Sequence, residues 1–259
     1  MSGPAPSPLA LEIAVTGPAG ARVARDGGAD RVELCSALEL GGVTPSQGLV
    51  EAVAAVGPPV QVLIRCRPGD FVYDADEIAL MVREVHHVVA AGAGGVVVGA
   101  LTERGTLDTQ ALRRLVAAAH EAAATAGRPV QVTLHRAVDQ AADPVAAAAL
   151  APSLGLTRVL TSGGAVTAAA GAAVIGRMAS AAPGVEIMAG GGVRPSDVHR
   201  LAAVGAAAVH LSAKRPAPAR RGGTWVPLGA AGSSATADTH YVTDPDIVAA
   251  ARAAAGPVR

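Results

Sequence analysis

Short runs rich in Val, Ile and Leu recur along the chain at Leu11–Val15, Arg31–Cys35, Val60–Arg65, Gly95–Leu101, Val130–Arg136, Thr157–Thr161, Val185–Ala189 and Ala207–Ser212. Between them lie Ala-rich segments with polar residues at helical spacing, such as Asp74–Ala91, Asp108–Ala126 and Ala165–Ala182. Strands alternating with helices predict a parallel sheet, and eight such units close into a single (β/α)₈ TIM barrel. Glycines at 27, 28, 92, 127, 155, 184 and 205 stand just before strands, where a helix needs its C-cap. Asp143-Pro144, Arg194-Pro195-Ser196-Asp197 and Asp244-Pro245 read as helix starts with Pro in the first turn. The competing fold, an open doubly wound sheet, would need a phosphate fingerprint after strand one, but Val15 is followed by TGPAG. The barrel is expected over residues 9–259. Residues 1–8 read as a disordered, Pro-rich tail, and residues 214–240 as a long loop before the last helix, either a lid or disordered. In that loop Arg220, Arg221 and Trp225 are the residues able to fold over the barrel mouth.

Alternation along each strand sorts the side chains into two faces. The outer face of a barrel strand packs under helices and must be apolar, so the polar set points inward. That rule turns Glu12, Glu33, Arg65 and His135 into the barrel, where branched apolar residues are the norm. Unpaired, each buried charge would cost several kcal/mol, so the set must pair, either as a structural ion network or as a catalytic cluster. His135 is then an acid–base candidate with its tautomer fixed by a carboxylate. Arg136 and Asp139 follow it at the strand end, and His210 and Ser212 hold the corresponding place on the eighth strand.

Glycine supplies a second signal. Ser162, Gly163 and Gly164 follow the sixth strand, and Gly190, Gly191 and Gly192 follow the seventh. Gly-rich turns of this kind let backbone N–H groups face an anion, and late turns of such barrels frequently hold phosphate. Lys214 adds a cation just beyond the eighth strand.

Composition narrows the partners. Lys plus Arg and Asp plus Glu number 21 each, with no basic run, so neither nucleic acid nor an anionic membrane surface is favoured. The apolar runs are too broken to span a membrane, and the start, MSGPAPSPLA, lacks the charge and apolar run of a secretory signal, so a cytoplasmic setting is expected. No nucleotide cofactor is indicated. Cys35 and Cys66 would end neighbouring strands, which makes a soft metal such as Cu(I) conceivable, but alternation turns Cys66 outward if Arg65 points in. His86, His87, His120 and His199 fall on helices, as packing or surface residues. Phe71, Tyr73, Trp225 and Tyr241 are the only aromatic residues, and all fall at the mouth end.

The stretches GGADRVELCSALELGGVTPS, GDFVY, GVVVGALTERGTLD, VTLHRAVD, LTSGGA, IMAGGGVRPSDV and YVTDP together resemble the CutC family, over nearly the whole chain from Leu11 to about Pro245. The resemblance implies a cytoplasmic TIM barrel, frequently a homo-oligomer, with copper binding or copper homeostasis as the attached role. It places family motif positions on Glu12, Glu33, Cys35, Arg65, His135, Arg136, Asp139, Ser162 to Gly164 and Gly190 to Gly192. Cys35 matches a family cysteine and is the metal-ligand candidate, whereas Cys66 stands where the pattern has proline. Two functions follow: a copper-handling protein, or an enzyme acting on a small, phosphorylated or otherwise anionic ligand through the inward Glu/Glu/Arg/His cluster.

Overall fold

The computed structural model describes residues 9–218 and 240–257. Tail residues 1–8 lie outside the described residues, as do Arg220, Arg221 and Trp225 of the loop. Eight parallel strands close into a barrel: β1 (Ala10–Val15), β2 (Arg31–Leu34), β3 (Val60–Leu63), β4 (Gly95–Val98), β5 (Gln131–Leu134), β6 (Arg158–Thr161), β7 (Glu186–Gly190) and β8 (Ala208–Leu211). Closure comes from β8 pairing with β1, which sets Glu12 opposite His210. Around the barrel run α1 (Pro18–Asp26), α2 (Gln47–Ala54), α3 (Ala75–Ala90), α4 (Thr109–Ala126), α5 (Pro144–Ala149), α6 (Ala172–Ala181), α7 (Val198–Ala203) and α8 (Pro245–Ala255). The expected caps are in place. Gly127 ends α4 in the left-handed region (φ 64°), and the Asp143 and Asp244 carboxylates accept the first free N–H groups of α5 and α8.

Two expectations about local structure are corrected. The helix expected from Ala165 begins only at Ala172, because residues 162–171 form a turn after β6 whose backbone closes on itself: a Cβ on Gly171 would lie 1.9 Å from the Ser162 carbonyl. The segment after β8 is not simply a loop at its ends. Lys214–Pro216 (β9) pairs antiparallel with Tyr241–Thr243 (β10), forming a two-stranded ribbon, with Lys214 Nζ 4.2 Å from the Tyr241 ring centroid.

The hydrophobic core lies between strands and helices. Leu11, Ile13, Val32, Leu34, Val62, Ile64, Val132, Leu134, Ile187 and Val209 all face outward into it. Inside the barrel the apolar content is small. One cluster joins Ala10, Leu160, Met188 and Ala208; another joins Cys35, Leu63 and Val97. The remaining interior is polar. Arg31, buried, reaches Glu12 at 2.6 Å and also Glu186; Arg158 reaches the same Glu186 oxygen at 2.6 Å and donates to Thr133 Oγ1 and Gln131 Oε1. Arg31, Gln131, Arg158 and Glu186 each open their strand, so this network fills the barrel toward its N-terminal end.

A buried ion network holds only while every charge keeps a partner. Arg31→Met removes the cation that Glu12 and Glu186 share, and is expected to cost about 3–5 kcal/mol in urea unfolding. A loss below about 1 kcal/mol would show that the lower barrel does not depend on these pairs.

Candidate functional site at the barrel mouth

Side chains that alternate inward emerge near the C-terminal strand ends around a cavity of about 210 Å³. Its walls include Glu33 from β2, Leu63 and Arg65 from and beyond β3, His135 and Arg136 after β5, Gly191 and Gly192 after β7, and His210 and Ser212 from and beyond β8. Phe71, in the loop before α3, completes the rim. The volume suits a compact metabolite rather than a nucleotide-sized ligand.

Two histidines share this mouth, and their surroundings push their pKa values in opposite directions. His210 Nδ1 lies 2.8 Å from Glu12 Oε1, and its Nε2 lies 3.6 Å from Glu33 Oε2. Burial alone would lower its pKa, but the hydrogen bond to Glu12 and the charge of Glu33 raise it. Glu12 would also be driven up by burial, yet the His210 hydrogen bond and the Arg31 charge hold it down at about 2. Among the described residues none donates such a hydrogen bond to Glu33, and His210 Nε2 stays at 3.6 Å. Burial, opposed by His210 and aided by Glu12, pushes its carboxyl up to about 7. One carboxyl on the cavity wall is therefore able to gain or lose a proton near neutrality.

His135 behaves differently from expectation. Among the described residues no carboxylate fixes its tautomer: the Ala137 N–H donates to Nδ1 at 3.1 Å, which places the ring proton on Nε2. Burial and the nearby Arg65 charge push its pKa down to about 3, so the ring stays neutral. Its ring packs on Phe71 at a tilt of 44° with centroids 4.9 Å apart, and the Arg65 guanidinium lies 5.0 Å from the same Phe71 centroid. Arg65 spends its terminal nitrogens on the carbonyls of Leu40, Gly42 and Gly69, which ties the loop after β2 to the loop after β3. A Cβ on Gly99 would sit 2.2 Å from His135 Cε1, so only glycine there leaves room for the ring.

Asp139 sits behind the cavity. It accepts from Arg136 Nε at 2.8 Å, from Ser162 N and Oγ at 2.9 Å, from Thr161 Oγ1, and from Gly164 N at 3.1 Å. Gly163 N donates to Thr161 Oγ1. The amides of the β6 turn, expected to face an external anion, are thus taken by the chain's own carboxylate and hydroxyl. Arg136 also donates to Ser162 Oγ and lies against Gly191, where a Cβ would come within 3.0 Å of its Cζ. The turn after β7 keeps Gly191 and Gly192 on the cavity wall, whereas Gly190 packs on Leu160 and His210.

Of the sequence candidates, Glu33, Arg65, His135, Arg136, Gly191, Gly192, His210 and Ser212 line the cavity; Glu12, Asp139, Ser162, Gly163, Gly164 and Gly190 support it from behind. Lys214 faces Tyr241 in the ribbon and does not line the cavity. Cys35 points inward but is fully enclosed by Leu63 and Val97, while Cys66 packs on the outer core. Arg31, Arg158, Glu186 and Gly99 escaped the sequence reading as site components. Arg31 shares the parity of Glu33, and that signal alone would have found it.

Fold and site together define a (β/α)₈ barrel with a polar pocket at the C-terminal end of its strands. The CutC family model matches residues 9–215, and the chain belongs to the CutC family. A CutC family protein of Agrobacterium fabrum is 46% identical over 195 residues, 75% of this chain and 74% of that one. One from Edwardsiella ictaluri is 38% identical over 249 residues, 95% of each chain. Among solved structures, CutC from Streptococcus agalactiae, whose name attaches it to copper homeostasis, superposes with a TM-score of 0.70 at 26% identity, covering 79% of this chain and 98% of that one. A 2,3-dimethylmalate lyase, at 17% identity and TM-score 0.57 over 80% of this chain and 77% of that one, shares the fold alone.

The raised Glu33 carboxyl carries a stability signature. The folded state holds the proton between its ordinary value of 4.5 and about 7 while the unfolded state releases it, so the wild type loses stability as pH rises through that window. Glu33→Gln does not titrate. Its stability relative to wild type is expected to rise by up to about 3 kcal/mol between pH 4.5 and 8 in chemical denaturation. A pH-independent difference would contradict the placement of that proton.

Proposed function

We propose that this chain is an enzyme that holds a small organic anion in the barrel mouth and moves a proton on it through Glu33. The observation that carries the reading is His210 set between Glu12 and Glu33, with Glu33 on the cavity wall. Glu12, kept ionised by Arg31, fixes the His210 ring; His210 in turn offers charge to Glu33, so a proton can be shared between them as the reaction proceeds. Arg136 supplies the anion subsite. Its guanidinium is pre-oriented by Asp139 and Ser162 but remains partly exposed, its side chain 42% accessible, beside the Gly191–Gly192 turn.

The copper role attached to the S. agalactiae relative's name is the second reading, and this chain's residues fit it poorly. Cu(I) takes thiolates, and burial beside Glu33 and Glu39 pushes the Cys35 thiol up, against ionisation. Cys66 lies beyond the end of β3 and packs on the outer core, and among the described residues no group of three or more His, Cys, Asp or Glu is placed to hold a metal ion. Among the described residues no helix is long and apolar enough to cross a membrane.

Ligand-observed NMR with a panel of small carboxylates and sugar phosphates tests the main reading. Binding is expected in the native chain and in Glu33→Gln, weakened about tenfold or more in Arg136→Ala, the scale of one charge-assisted hydrogen bond. No binding of any panel anion, or binding indifferent to Arg136, would defeat it. A Cu(I) competition titration of the native chain and Cys35→Ser checks the alternative: sub-nanomolar affinity that disappears in the variant would favour copper handling.

A further inference from the structure

His135 and Arg65 both line the cavity, both are more than nine-tenths buried, and among the described residues His135 Nε2 and Arg65 Nε meet no hydrogen-bond partner. Both are donors. Nδ1 of His135 already accepts from Ala137, so Nε2 must carry the proton, and Arg65, whose terminal nitrogens go to loop carbonyls, also lies beside the Tyr73 hydroxyl. An unpaired buried donor costs about 1–3 kcal/mol, and both side chains border one small cavity, so an acceptor oxygen brought between them would relieve that cost. A neutral imidazole suits one kind of acceptor above others. It donates a hydrogen bond without giving up a proton, which stabilises a developing oxyanion without quenching it.

We propose that the substrate is a short oxo acid whose carbonyl oxygen docks on His135 Nε2–H beside Arg65, and that the chemical step is enolisation. This rests on the acid–base reading of Glu33 above. Arg136 takes the substrate carboxylate. Ionised Glu33 removes a proton from the carbon next to the carbonyl; that C–H bond breaks, its electron pair becomes the C=C bond of an enolate, and the carbonyl π electrons move onto oxygen. The charge on that oxygen is met by the His135 and Arg65 donors. Return of a proton from Glu33 to the same carbon, after exchange with solvent, restores the oxo acid with no oxidant or reductant consumed. The half-buried Phe71 ring, packed on His135 and under the Arg65 guanidinium, walls this oxygen from the solvent side.

The test is solvent exchange. Short 2-oxo and 3-oxo acids, each paired with its hydroxy acid counterpart, are incubated in D₂O with the full chain and followed by proton NMR. Protein-dependent deuterium uptake is expected next to the carbonyl of at least one oxo acid, and in none of the hydroxy acids. Glu33→Gln should lower the exchange rate by about 100-fold or more, and His135→Ala by about 10²- to 10³-fold in turnover with little change in half-saturating concentration. His135→Gln, which restores an N–H donor, should recover part of the loss and guards against misfolding of the alanine variant. Arg136-dependent binding of the panel without exchange on any oxo acid would overturn the enolisation step and leave the anion site standing. Exchange unaffected by His135→Ala would overturn the carbonyl subsite. Absence of any anion binding would remove the acid–base reading as well.

Discussion

The structure depends on a single buried carboxylate. Glu12, one per cent exposed, is shared between Arg31 on one oxygen and His210 on the other. Arg31 links it downward to Glu186 and Arg158, which fill the N-terminal half of the barrel with charge. His210 links it upward to Glu33 and the cavity. A barrel interior packed with Val and Leu would be easier to stabilise. Here the apolar part of the barrel's inside shrinks to two small clusters, and the rest of that inside is filled by ion pairs whose geometry also sets the protonation of the mouth.

That coupling explains how one small cavity holds groups with opposite tendencies. Glu12 stays ionised because two donors grip it, so Glu33, with His210 as its one ion-pair partner among the described residues and the Glu12 charge nearby, is the carboxyl left to take a proton. Across the cavity His135 is kept neutral by burial and Arg65. Neighbouring titratable groups pushed apart in this way are the usual basis for dividing acid, base and oxyanion roles. Stability is given up for it at Glu33 and at the unpaired donors, as is common at functional sites.

Much of the barrel was legible in the sequence, because strand alternation and helix caps are local signals. The inward turn of Glu12, Glu33, Arg65 and His135 followed from period two alone. What alternation does not carry is which inward side chains meet. Glu12 and His210 are 198 positions apart in sequence and become neighbours only through closure of β8 on β1, so the carboxylate was expected at His135 instead. The glycine turn after β6 looked like an anion site because nothing local reveals that Asp139, 23 residues earlier, fills it. Gly99 gave no signal as a site residue, since its role is the space it leaves for a ring placed by another strand.

The central claim is that the interior network leaves one carboxyl, Glu33, titrating near neutrality on the cavity wall. Carbon-13 NMR of the glutamate side-chain carboxyls, titrated from pH 3 to 9 and assigned with Glu33→Gln, reads this directly. The account predicts a Glu33 midpoint near 7, with Glu12 ionised throughout. A Glu33 midpoint in the ordinary carboxylate range near 4.5, or a Glu12 that protonates with it, would contradict the account.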